Sequence, residues 1–202
     1  MLPVTVLLRK TGLRMTTLAL GCALLMLALP SARAEQLEDW RDAAVPHFSI
    51  PALDGVTVDL ADQRDNLVIV HFFATWCAPC RDELTSLERL SAAFAARPLR
   101  IVAIDVGDPG DRVRHFLERE KIAVRYPVLI DFDKQVMREW GVEMLPTSYV
   151  LDAALCPHWK IAGALDWDVG QTLSKLEMRV SEMERTGLSS KQENCIAKGG
   201  TP

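Results

Sequence analysis

Apolar positions along this chain follow two different periods. Leu67-Val68-Ile69-Val70-His71-Phe72-Phe73 is an almost unbroken apolar, β-branched run, the pattern of a strand covered on both faces. From Cys80 onward, Leu84, Leu87, Leu90 and Phe94 recur every three or four residues, with Arg81, Asp82, Glu88 and Arg89 between them. That spacing predicts an amphipathic helix. Ile101 to Val106 predicts a second buried strand, Gly107-Asp108-Pro109-Gly110 a turn, and Val113, Phe116 and Leu117 a helix over Asp111–Lys121. A short strand Pro127–Ile130 follows, then a short helix capped by Asp133 and ending near Gly141. Thr147–Leu151 and Trp159–Ala162 read as an antiparallel pair, and Leu173, Leu176, Val180 and Met183 define a closing helix. Ahead of all these, Phe48-Ser49-Ile50 and Val56-Thr57-Val58 flank Asp54-Gly55, a hairpin turn pair. Glu35 to Ala44 is polar and without a clear period, and reads as a leading arm. The element order predicts an α/β domain with a central mixed β-sheet and helices on both faces.

Composition narrows the class. The chain has 202 residues, 49% hydrophobic and 25% charged, which excludes a disordered or low-complexity protein. A net charge of −4 with no block of like charge argues against nucleic acid as the main partner. Residues 1–34 contain no acidic residue: Arg9, Lys10 and Arg14 lead, Thr16 to Leu29 is apolar, and Pro30 and Ala32-Arg33-Ala34 follow. This is the layout of a secretory signal peptide cut after Ala34. The alternative is an uncleaved inner-membrane tether, since Met15 to Ala32 is just long enough to span. A lipid attachment site at Cys22 fits poorly, because the apolar run continues beyond it. Loss of the leader removes four positive charges and takes the net charge from −4 to −8. The expected organisation is a leader over 1–34, a domain over 35–186 and a tail over 187–202. Export also places the remaining cysteines where disulfides persist.

The chemistry concentrates in Trp76-Cys77-Ala78-Pro79-Cys80, where the apolar strand hands over to the amphipathic helix. Unpaired N–H groups and the dipole at a helix start stabilise negative charge, so a cysteine there ionises readily, and thiolate is the form that attacks disulfides. Cys80 lies one turn on, within reach of a bond to Cys77, and Pro79 suits a first helical turn. A structural zinc site would need two more ligands, yet His47, His115 and His158 are scattered and Cys156 and Cys195 isolated. Copper(I) held by the two thiols is the stronger rival.

The stretch from Val68 to Glu83, with Trp-Cys-X-X-Cys at its centre, resembles the active-site segment of the thioredoxin superfamily, and more narrowly its exported TlpA/ResA-like branch. The likeness runs over about residues 45–185 and includes the Pro46–Gly55 hairpin, an inserted helix and strand over 109–130, and Gly141-Val-Glu-Met-Leu-Pro-Thr-Ser-Tyr-Val-Leu-Asp. It implies a thioredoxin-like fold and a thiol–disulfide oxidoreductase whose only redox group is the Cys77–Cys80 pair, with no bound cofactor or metal. It also implies that Pro146, after Leu145, is a cis-proline that helps Trp76 shape a docking groove for substrate. Glu83 falls where this branch places a buried acid beneath the second cysteine, as proton acceptor for Cys80; the other reading is an exposed first-turn acid that favours the helix dipole. Two positions depart from the pattern. His71 stands where thioredoxin has a buried aspartate, and reads as a core histidine or a proton relay. Thr85 stands where a helix-kinking proline is common, which predicts a straighter helix.

Cys156 lies in the expected hairpin turn Asp152–Pro157 and Cys195 in the polar tail. In an oxidising compartment they are expected to pair and pin the tail, a loop closure worth roughly 4 kcal/mol on the chain-entropy model. A second redox pair is the alternative. The resemblance further implies a periplasmic reductase of protein disulfides, fed by a membrane thiol carrier, with clients in cytochrome c maturation or copper-centre assembly. Rival readings are an oxidase or isomerase on the same fold, a copper(I)-binding module, and a peroxidase. The last usually needs a Thr-X-X-Cys site, which this motif does not supply.

Overall fold

The computed structural model describes residues 37–40 and 44–186. The leader over 1–34, the tail over 187–202 and, with them, Cys22 and Cys195 lie outside the described residues. Among the described residues no helix is long and apolar enough to cross a membrane.

Among the described residues, eight strands and four α-helices follow in chain order, with a 3-10 turn at Leu60–Gln63. Strand β1 is Glu38–Asp39, β2 Ser49–Pro51, β3 Thr57–Asp59 and β4 Leu67–Phe73. Helix α1 is Ala78–Ala93, β5 Leu99–Val106, α2 Gly110–Glu120, β6 Val128–Asp131 and α3 Gln135–Glu139. Then come β7 Thr147–Leu151, β8 Pro157–Ala162 and α4 Gly170–Thr186. Six strands form one sheet in the order β1-β8-β7-β4-β5-β6, while β2 and β3 pair separately. Strands β4, β5 and β6 run parallel; β7 is antiparallel to β4 and β8 to β7. The sheet is mixed, as the alternation of elements predicts.

The unbroken apolar run of β4 is explained by what lies on its two faces. Leu67, Ile69 and Phe73 point into a core shared with Leu84, Leu87 and Leu90 of α1, Val113 and Phe116 of α2, and Leu176 and Val180 of α4. Val68, Val70 and Phe72 point the other way, to Phe48, Leu60, Val136 of α3, Trp140 and Tyr149. The second core is aromatic: Trp140 and Tyr149 meet edge-on at 5.1 Å between ring centroids, and the Tyr149 hydroxyl donates to the Trp140 carbonyl at 2.7 Å. Burial of that hydroxyl is thereby compensated.

Some local expectations need correction. The leading arm contributes a strand, since Glu38 and Asp39 pair with Lys160 and Trp159 of β8; two residues are too short for any periodicity to show. The β2–β3 hairpin closes through five residues rather than the Asp54-Gly55 pair alone, with Pro51 opposite Thr57 and Gly55 at φ 85°. Asp133 is not the N-cap of α3. Lys134 occupies that position, and Asp131 supplies most of the capping by accepting from Val136 and Met137 N–H. Asp133 still accepts from Gln135 N–H at 3.1 Å.

Candidate active site

The sheet topology gathers the candidate residues at one end. Phe73 ends β4 beside Asp105 near the end of the parallel strand β5. Phe72 lies opposite Thr147, the first residue of antiparallel β7. The segment leading to Cys77, the end of β5 and the Leu145-Pro146 pair before β7 therefore share this end of the sheet.

Cys77 is the N-cap of α1, its N–H donating to the Ala74 carbonyl at 3.1 Å, with Pro79 in the first turn. Its side chain meets a helix start whose N–H groups lack intrahelical acceptors, and that favours a thiolate. Cys77 and Cys80 are joined in a disulfide with their Cα atoms 5.4 Å apart. Their exposures differ: Cys77 is 6% exposed and Cys80 fully buried. Trp76, immediately before them, is 69% exposed, and Met144 beside Leu145 is 51% exposed. The Leu145-Pro146 bond is cis, in line with the resemblance. Pro146 is buried and its carbonyl accepts from Gly163 N–H at 2.9 Å.

Glu83 is not an exposed first-turn acid. It lies one turn beyond Cys80, 2% exposed, and its Oε1 accepts from Trp167 Nε1–H at 2.6 Å. Ser86, one turn further, accepts from the Trp167 N–H at 3.3 Å, so the loop before α4 is fastened over this face of α1. A cleft of about 490 Å³ runs beside the helix, with Pro79, Glu83 and Arg89 on one wall and Ala164, Leu165 and Asp166 on the other. Helix α1 continues unbroken past Thr85, whose hydroxyl lies 3.4 Å from the Arg81 carbonyl.

His71 is a core histidine, fully buried, stacked on Phe73 at 6.1 Å. Its Nδ1 lies 2.8 Å from Ser148 Oγ and 3.6 Å from Glu83 Oε1, while Nε2 has no hydrogen-bond partner. Burial lowers its pKa to about 3, so the ring is neutral. The tautomer with its proton on Nδ1 avoids a buried N–H without an acceptor.

Four participants escape sequence reasoning. Ser148 and Trp167 carry no local signal, because strand register and a loop bring them to His71 and Glu83. Asp105 and Asp108 lie at and just beyond the end of β5, and both are buried. Asp105 was the discoverable one, a lone acid inside the apolar run Ile101–Val106. Cys156 is half-buried and disulfide-bonded, its expected partner Cys195 lying outside the described residues. Among the described residues no three His, Cys, Asp or Glu side chains cluster to hold a metal ion.

A family model described as the AhpC/TSA family matches residues 42–155, more than half of the chain. The chain belongs to this family. A relative, the thiol-disulfide oxidoreductase ResA of Geobacillus thermodenitrificans, is 33% identical over 110 residues, 54% of this chain and 62% of the relative. The chain thus matches somewhat under two thirds of that protein's length. Among solved structures, a putative thiol:disulfide interchange protein DsbE from Chlorobium tepidum superposes with a TM-score of 0.62 at 24% identity, over 70% of this chain and 97% of that one. A thioredoxin family thiol:disulfide interchange protein from Chlorobium tepidum TLS gives 0.57 at 28% identity, over 70% and 99%. The fold of this family member is thioredoxin-like.

Proposed function

We propose that the chain is an exported thiol–disulfide oxidoreductase that reduces protein disulfides through Cys77 and Cys80. The observation that carries this reading is the unequal placement of the two sulfurs at the start of α1. Cys77 caps the helix and keeps a small exposed area, 6%, while Cys80 has none. An attacking thiol needs access and a stabilised thiolate; a resolving thiol needs only to reach the first sulfur.

In the reduced form the Cys77 thiolate attacks one sulfur of a client disulfide. A Cys77–client bond forms, the client S–S bond breaks, and one client thiolate leaves. Cys80 then loses its proton and attacks the Cys77 sulfur. The Cys77–Cys80 bond forms, the second client thiolate departs, and two electrons have passed to the client. Glu83 is the proton acceptor for Cys80, held in place by Trp167. Exposed Trp76 and Met144, with Leu145 and Pro146, form the surface on which the client docks.

The reducing direction, a membrane thiol carrier as electron donor, and clients in cytochrome c maturation or copper-centre assembly rest on the resemblance to the ResA-like branch. The periplasmic location rests on the leader pattern, and cleavage or retention as a tether on Pro30 and Ala32-Arg33-Ala34. A bridge from Cys156 to Cys195 holds the tail in the same reading. Equilibration with glutathione or thioredoxin tests the direction. A potential nearer about −270 mV, as for thioredoxin, is expected, and one near about −120 mV, as for the strong oxidant DsbA, would reverse the direction.

Glu83→Gln keeps the Trp167 hydrogen bond but accepts no proton. Resolution of a preformed Cys77 mixed disulfide is expected to slow by about tenfold or more in stopped flow, with the first attack unchanged. Equal resolution rates would remove Glu83 from the mechanism.

A further inference from the structure

Two carboxyl groups stand under the segment that delivers Cys77. Asp108 Oδ2 accepts from the Thr75 N–H at 3.2 Å and the Thr75 hydroxyl at 2.7 Å, two residues before the attacking sulfur. Asp108 Oδ1 pairs with Arg112 at 3.1 Å, so its charge has a cation. Asp105 has none. Its Oδ1 accepts from the Asp108 N–H at 3.2 Å, and its Oδ2 is buried without a hydrogen-bond partner. A buried carboxyl oxygen left unsatisfied is costly when ionised and tolerable when protonated.

We propose that Asp105 is a positioning residue for Cys77: it holds a proton beneath the Thr75–Cys77 segment, and the loss of that proton makes the Cys77 thiolate harder to form. The inference rests on the reading of Cys77 as the attacking thiol. With Asp105 protonated, the carboxyl pair carries one negative charge, neutralised by Arg112, and the start of α1 is electrostatically open to a thiolate. With Asp105 ionised, the pair carries two charges against one partly exposed guanidinium, and a third anion close by is disfavoured.

The surroundings support this assignment. Burial, reinforced by the Asp108 charge, pushes Asp105 up to about 7, opposed by the N–H groups of Asp108 and Thr75. Its register neighbours, Phe73 on β4 and Ile130 on β6, carry no charge. Alternation along β4 and β5 places Asp105 on the sheet face that α1 covers, as it does His71. Titratable groups toward this face include neutral His71 from β4, Glu83 from α1, Asp108 from the loop after β5, Arg112 from α2 and Tyr126 before β6, whose hydroxyl donates to the Leu84 carbonyl. Of these, Asp108 and Arg112 act on Asp105 directly. The effect is reciprocal: a thiolate on Cys77 must raise the proton affinity of Asp105 by the amount that ionised Asp105 opposes the thiolate.

The test is the rate of iodoacetamide modification at Cys77 of the reduced full chain, followed by mass spectrometry from about pH 5 to 9.5. The wild-type profile is expected to rise more gradually than a single ionisation. Asp105→Asn is expected to give a single ionisation with its midpoint lower by about half a unit, or about threefold faster modification well below the wild-type midpoint. Superimposable profiles would overturn the inference. Should Asp105→Asn fail to fold, the carboxyl carbon resonance of Asp105 in the unaltered chain decides: its titration midpoint is expected to be higher in the reduced protein than in the oxidised one, and equal midpoints would overturn the inference. Insulin reduction by the wild type, run in parallel, separates the two readings. Active enzyme with unaltered profiles refutes only the role of Asp105; no exchange activity refutes the oxidoreductase itself.

Discussion

Cys77→Ser is expected to abolish disulfide reduction, lowering the rate of insulin reduction by about three orders of magnitude or more, because a hydroxyl offers no nucleophile of comparable strength near neutral pH. Cys80→Ala is expected to lose turnover equally while retaining the first step. Since Cys80 is fully buried and Cys77 is not, the truncated variant should still attack client disulfides and then be unable to release them. Expressed in its own cell, it should accumulate mixed disulfides that reductant dissolves. The same capture with Cys77→Ser, Cys80→Ala in combination should disappear. Adducts that persist in that double variant would place the reactive thiol elsewhere and sink the mechanism. A Cys80→Ala chain that captures nothing would argue for a copper-holding role instead.

The second large effect concerns pH and stability. His71 is held at about 3 by burial, below the ordinary histidine value near 6.5. As pH falls from about 6.5, the unfolded chain takes up a proton that the native ring refuses, so this residue lowers stability by about 1.4 kcal/mol per pH unit. Asp105 acts in the opposite sense. Its native value near 7 lies above the ordinary aspartate value, so the native state binds the proton first, and stability is lost as pH rises from about 4 to 7. Between roughly pH 4 and 6.5 the two slopes oppose and largely cancel. The wild type should therefore show a nearly flat urea-unfolding free energy across this window. Asp105→Asn leaves the His71 slope uncompensated, and stability should climb by about 2 to 3 kcal/mol from pH 4.5 to 6.5. Parallel, flat profiles for both proteins would mean that neither group is perturbed as the burial indicates.

Much of the fold was legible because its signals are local. The β4 run, the spacing of Leu84, Leu87 and Leu90, and the placement of Trp76-Cys77-Ala78-Pro79-Cys80 between them each reflect packing along a single element. The cis bond at Pro146 came through resemblance, since nothing in Leu145-Pro146-Thr147 distinguishes the isomers chemically. What stayed hidden depends on register. His71 meets Ser148 because β4 and β7 align those two residues. Asp105 reaches the Cys77 segment because β5 runs parallel to β4 with Phe73 beside it. Glu83 was ambiguous for a related reason: helical spacing puts it near Cys80, but only the loop carrying Trp167 decides that it is covered. Short β1 had no period to read at all.

That two-residue strand has a consequence of its own. Strand β8 would otherwise present an open row of backbone donors and acceptors along Trp159 and Lys160, an invitation to any extended chain. Glu38 and Asp39 occupy those positions with two adjacent acids, and on the opposite side Ala52 bridges to Leu129 of β6. Under the proposed function, in which disulfide-bearing chains are held covalently for a moment, these contacts guard against also holding them by strand addition.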